Sequence, residues 1–121
     1  MKVFLAIAAI LAWLFGAALL FAPAEFYKPT GIEMTPMIAT LAQAHGATLI
    51  GLGLIDWLAR NAEKSGLTAV LAGNLLVQAL SSYVVLRTMS LGAGSAVAPG
   101  SVIHMVLGGL FGYFLFRNLR S

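Results

Sequence analysis

Long apolar runs, free of charge except for Asp56 in the second, alternate with short polar stretches along this chain. The first run, Val3 to Ala22, carries no charge and stops at Pro23; the second extends from about Pro36 to Leu58, the third from Leu67 to Leu86, and the fourth from Ser101 to Phe116. A bilayer core of about 30 Å takes about 20 apolar residues as helix. The pattern therefore predicts an all-α protein: a single integral membrane domain, 1–121, folded as a four-transmembrane-helix bundle with helices over about 3–22, 36–58, 67–86 and 101–116. The fourth run is short, and Val97 and Ala98 extend it across Pro99 as an irregular start. The first run has a rival reading, because Lys2, an apolar stretch and Ala22-Pro23-Ala24 also fit a secretory signal with its A-x-A site. The apolar core of a signal is usually about 7–15 residues, so the longer run reads as a true span.

The connections between runs set the expected orientation. With the N-terminus in the cytoplasm, Lys2, Arg60, Lys64, Arg117 and Arg120 fall inside and only Lys28 and Arg87 outside. Cytoplasmic loops carry the excess of Lys and Arg, so both termini are expected to be cytoplasmic, in a bacterial inner membrane. The short link from Arg60 to Gly66 makes the second and third helices an antiparallel pair. The outer connections, "PAEFYKPTGIEMTP" and "RTMSLGAGSAVAPG", should be irregular, with a short interfacial helix near Glu25 to Lys28 where Phe26 and Tyr27 anchor at the headgroups.

Composition supports this reading. Sixty per cent of residues are hydrophobic and nine per cent charged, against about 25% charged in an average soluble domain. The net charge of +3 comes from seven Lys and Arg scattered singly, without a basic stripe, so nucleic acid is not an expected partner. There is no cysteine, which excludes disulfides, thiolate catalysis and Cys-ligated metals.

In lipid, helices associate through small residues that let backbones approach. Ala9, Ala12 and Gly16 form such a ridge on the first helix, and Ala39, Ala42, Gly46 and Gly53 on the second. On the fourth, His104, Gly108 and Gly112 share a face at spacing four. That face serves packing within the bundle or a homo-oligomer seam.

The polar residues within spans carry the candidate chemistry. Arg60 follows Asp56 by four residues, in the favourable order for an ion pair, and the two are expected to form one at the membrane interface. His45 lies about 13 Å inside its helix at 1.5 Å per residue, a depth where ionisable groups are costly and usually functional. A neutral imidazole needs partners for one donor and one acceptor. Asn74, Gln78 and Ser81 form one stripe on the third helix, with Gln78 at about the depth of His45, and Gln43, Ser82 and His104 slightly nearer the outer surface. Gln43 and His45 are about 200° apart around their helix, so they do not share one centre. A polar layer of these seven residues is expected, as helix–helix glue, a pocket for a hydrophobic ligand, or part of a proton path. His45 and His104, on separate helices, are also candidate axial ligands of a b-type haem, although helix rise sets them about 7 Å apart in depth. No phosphate loop, H-E-x-x-H or metal-spaced acidic pair is present, so no catalytic residue, metal or obligatory cofactor is assigned.

Three stretches resemble the small bacterial four-helix integral membrane proteins that are DoxX-like. "LFAPAEFYKPTGI" looks like their Pro-ended first helix and short outer segment, "LAQAHGATLIGLGLIDWLAR" like their Gly-rich second helix ending in Trp and Arg, and "PGSVIHMVLGGLFGYFLFR" like their last helix. Such proteins often carry Arg before the Gly-Ala of the second helix, where this chain has "QAHGA". The resemblance implies the fold and no activity. The expected function is that of a non-enzymatic binding or accessory subunit of a larger membrane assembly or a homo-oligomer, in contact with lipid and with other membrane chains or its own copies. The alternatives are a binder of a hydrophobic ligand or haem through His45 and His104, and a small transporter or proton-path protein.

Overall fold

A computed structural model describes residues 1–93 and 97–121; residues 94–96, part of the outer connection expected over 87–100, lie outside the described residues. Every regular element among the described residues is helical: α1 (Lys2–Phe21), α2 (Pro23–Tyr27), a 3₁₀ turn (Lys28–Thr30), α3 (Pro36–Ala59), α4 (Lys64–Thr88) continuing into a π turn (Met89–Ala93), and α5 (Ala98–Arg120). Four of them, α1, α3, α4 with its extension to Gly92, and α5, are long and apolar enough to cross a membrane. The outward face of α1 shows why water is not their solvent. Val3, Ile7, Ile10, Leu14 and Phe21 are all exposed and fall at helical spacing, so this helix presents bulky apolar side chains on the face where a soluble protein places polar ones. The chain is a membrane protein.

Local chemistry sets the helix ends. Pro23 restricts the residue before it, and Ala22 accordingly leaves the helix at φ −140°, ψ 54°. Thr35 caps α3 by accepting a hydrogen bond from the Ile38 N–H at 3.2 Å, with Pro36 in the first turn, where its missing donor costs nothing. Gly31 closes the 3₁₀ turn at φ 71°, a conformation open to glycine without penalty. Helix boundaries differ from expectation at several points, α5 for one running on to Arg120 rather than Phe116. The helix predicted from Leu67 starts at Lys64, because Lys64 and Ser65 sit in a first turn whose backbone donors need no intrahelical partner. The helix predicted from Ser101 starts at Ala98 as a regular α-helix, since Pro99 lies in the first turn and is accommodated there.

The chain divides into two compact units, Met1–Asn61 and Ala62–Ser121. In the first, α1 and α3 form an antiparallel pair tied at three levels. Lys2 Nζ donates to Asn61 Oδ1 at 3.2 Å, Trp13 Nε1 to the Ile50 carbonyl at 3.2 Å, and Gln43 Nε2 to the Leu20 carbonyl at 3.2 Å. Between these ties the backbones nearly touch. A Cβ added to Gly46 would lie 2.6 Å from the Gly16 carbonyl oxygen, and one on Gly16 would lie 2.8 Å from the Gly46 oxygen. Buried Ala9 and Ala42 flank this contact, so the ridges read from sequence on these two helices face each other.

In the second unit α4 packs on α5. Asn118, near the end of α5, donates to Thr68 Oγ1 at 2.9 Å and to the Lys64 carbonyl at 3.4 Å. A Cβ on Gly108 would approach Gln78 Cβ to 3.3 Å, and one on Gly112 would meet Leu75 Cδ1 at 3.7 Å. The face of His104, Gly108 and Gly112 is thus turned toward α4.

Candidate functional site

The candidate polar side chains fall into three groups, two in the first unit and one in the second. The first surrounds His45. This residue is exposed on α3 and lines an open depression of about 360 Å³ with Tyr27, Ile32, Ile38, Leu41 and Ala42. Its position follows from the end of α1: Pro23 starts α2, and α2 and the 3₁₀ turn carry Tyr27 and Ile32 beside the first turns of α3. Among the described residues His45 makes no hydrogen bond. Gln43, two residues earlier, turns the other way and satisfies the Leu20 carbonyl, one of the last four in α1, which have no partner of their own in the helix. Gln43 therefore ties α3 to α1.

The second group lies at the opposite end of the same pair of helices. Asp56 is 2% exposed, the most deeply buried charged side chain of the protein. Arg60 folds back on its own helix: its guanidinium carbon sits 3.4 Å from the centroid of the Trp57 ring, and its Nε donates to the Trp57 carbonyl at 2.7 Å. Trp57 packs at 5.5 Å, centroid to centroid, on Trp13. Trp13 in turn fits over Gly53, where a Cβ would come within 2.6 Å of the indole. The structure thus places Asp56 facing inward and Arg60 on an aromatic platform. Sequence reasoning missed Trp13, and its signal was present: Trp13 carries the one polar tip within the apolar run Val3–Phe21 of α1, and a buried indole N–H needs an acceptor.

The third group is in the second unit. Gln78 and Asn74, both buried on α4, lie four residues apart and so share a face. His104 Nδ1 is 2.7 Å from Gln78 Oε1. A carbonyl oxygen only accepts, so in this contact Nδ1 is the donor. Asn74 Nδ2 donates to the Val70 carbonyl at 3.1 Å. Ser81 and Ser82 are half-buried on the next turn of α4, and Ser101 is buried at the start of α5. The structure brings Gln78 and His104, two members of the expected polar layer, into direct contact. Among the described residues no three of His, Cys, Asp and Glu converge as a metal site would require.

Comparison of the chain with protein-family models, with curated proteins and with solved structures finds no match.

Proposed function

We infer that this is a non-enzymatic subunit of the bacterial inner membrane, DoxX-like in architecture, with both termini in the cytoplasm, which works by packing against helices of a second copy or of another membrane chain. One observation carries this reading. Thr40, Ala44, Ala47, Thr48 and Gly51 are all exposed on one face of α3, and a Cβ on Gly51 would meet nothing within 4 Å. The threonine hydroxyls donate to the Pro36 and Ala44 carbonyls of their own helix, so between Thr40 and Gly51 the face has no unmet donor and little bulk. Small faces of this kind let a neighbouring backbone approach, which is the main source of helix association in lipid. The excess of Lys and Arg at the Lys2, Arg60, Lys64 and Arg117 ends supports the cytoplasmic termini.

The cysteine-free chain makes the test clean. Single Ala44→Cys and Gly51→Cys variants in native membranes are expected to cross-link to a second chain under mild oxidation, whereas Val3→Cys, on the bulky face of α1, is not. Equal yields at all three positions would count against the α3 face. A reporter fused at Ser121 should be active only on the cytoplasmic side, and one in the 28–35 segment only outside.

A second reading has its own observation. His45, which makes no hydrogen bond among the described residues, opens on an apolar depression of the size of small-ligand sites, about 300–1,000 Å³. A neutral hydrophobic ligand bound there would supply the missing acceptor. Extraction of the purified protein with organic solvent would release such a ligand from the wild type and not from His45→Ala.

A further inference from the structure

We propose that Arg60 and Lys2 form a binding site for the phosphate of an anionic phospholipid headgroup, with Trp57 as its platform. Helix α3 has 24 residues, about 36 Å at 1.5 Å per residue, against a hydrocarbon core of about 30 Å. Arg60, directly after α3, therefore lies at a bilayer surface whichever way the chain is inserted.

The guanidinium is held before any ligand arrives. Its face lies 3.4 Å from the Trp57 ring centroid, and its Nε is committed to the Trp57 carbonyl at 2.7 Å. Trp57 is held by Trp13, and Trp13 is anchored by its bond to the Ile50 carbonyl. A guanidinium has five N–H donors in a planar fork. Among the described residues, only the Nε donor of Arg60 is satisfied. The remaining fork matches two phosphate oxygens, and stacking removes much of the rotamer entropy that binding would otherwise cost. Lys2 supplies a second positive charge, held through Asn61, the residue after Arg60. The nearest carboxylates in sequence are Asp56, turned inward, and Glu63, exposed in front of α4. Glu25 and Glu33 belong to the other end of α1 and α3. The local charge thus favours an anion, and the aromatic ring beside it favours the headgroup zone of a membrane.

The test is native mass spectrometry of the whole protein in a mild detergent, titrated separately with phosphatidylglycerol, phosphatidylcholine and inorganic phosphate. Phosphatidylglycerol should bind in preference to phosphatidylcholine. Arg60→Ala should weaken phosphatidylglycerol binding about tenfold, the worth of one charge-assisted hydrogen bond. Arg60→Lys and Trp57→Leu should each weaken it by about threefold, because the charge stays and the held fork is lost. Arg87→Ala should leave it unchanged, and circular dichroism should show all variants equally helical. Binding unchanged in Arg60→Ala, or weakened as much by Arg87→Ala, would overturn the site in favour of diffuse attraction. Wild-type binding in both Arg60→Lys and Trp57→Leu would overturn the held fork. Equal affinity for the two lipids would overturn the requirement for net negative charge. Displacement of the lipid by an equal concentration of inorganic phosphate would reassign the site to a free anion.

Discussion

Gly46→Val is expected to abolish the packing of α1 on α3. The first added carbon would lie 2.6 Å from the Gly16 carbonyl oxygen, 2.8 Å from the Leu20 nitrogen and 3.0 Å from Leu19 Cβ. Two of these atoms belong to backbone inside a helix and cannot swing aside as a side-chain tip can, so the helices must separate. Overpacking a core typically costs about 1–3 kcal/mol. Here separation also breaks the three hydrogen bonds that tie the pair, and a loss of about 3 kcal/mol or more is expected. Gly46→Ala should fall between Gly46→Val and the wild type. Gly73→Ala is the control: nothing lies within 4 Å of that position, and surface substitutions of this kind stay within about 0.5 kcal/mol. The measurement is the unfolding midpoint in mixed micelles of a mild detergent and dodecyl sulfate, followed by circular dichroism. A midpoint for Gly46→Val equal to that of the wild type would show that the close approach is not structural.

The second large effect is expected at Gln78. Replacing it by Leu removes the acceptor of the His104 Nδ1 hydrogen and leaves a polar ring in an apolar span. An unsatisfied buried donor costs about 1–3 kcal/mol in water-soluble proteins, and polar pairs between membrane helices contribute at most about 1–2 kcal/mol. A loss of about 1–2 kcal/mol is therefore expected, by the same midpoint measurement. His104→Leu should cost a similar amount, and the double variant little more than either single one, since both remove one shared bond. Strict additivity would sink the pair as a unit. His45→Ala is expected to stay within about 0.5 kcal/mol of the wild type, because His45 has no hydrogen bond among the described residues to lose. The two histidines thus separate by experiment: loss of His104 is expected to weaken the α4–α5 pair and loss of His45 to leave stability nearly unchanged.

The number of spans was legible in the sequence because hydrocarbon solvent imposes a simple rule on it. A helix that must cross about 30 Å without exposing backbone polar groups needs a long apolar run, and four such runs became α1, α3, α4 and α5. The breaks were legible for local reasons: Pro23 and Pro36 act within one turn of themselves. The ridges of small residues were legible too, since spacing alone puts Gly46 and Gly53 on one helix face.

What each polar residue does was decided by tertiary contact. Gln43 and His45 are both amphiphilic residues in the same turn, and periodicity says only that they diverge. It took the position of α1 to give Gln43 the Leu20 carbonyl and to leave His45 facing the depression with Tyr27. Arg60 stands four residues from Asp56 and three from Trp57. Both spacings put the partner on its face of the helix, so sequence offered the carboxylate and the ring alike. The structure seats the guanidinium on the ring because Asp56 points inward, and because Trp13, from a helix nearly 50 residues earlier in the chain, supports Trp57 from behind. Gln78 and His104, 26 residues apart, meet only because Gly108 lets α5 approach α4 to within contact of Gln78 itself. Hydropathy is a property of one segment and can be summed along a chain. A hydrogen-bond partner is a property of two segments, and only their packing selects it.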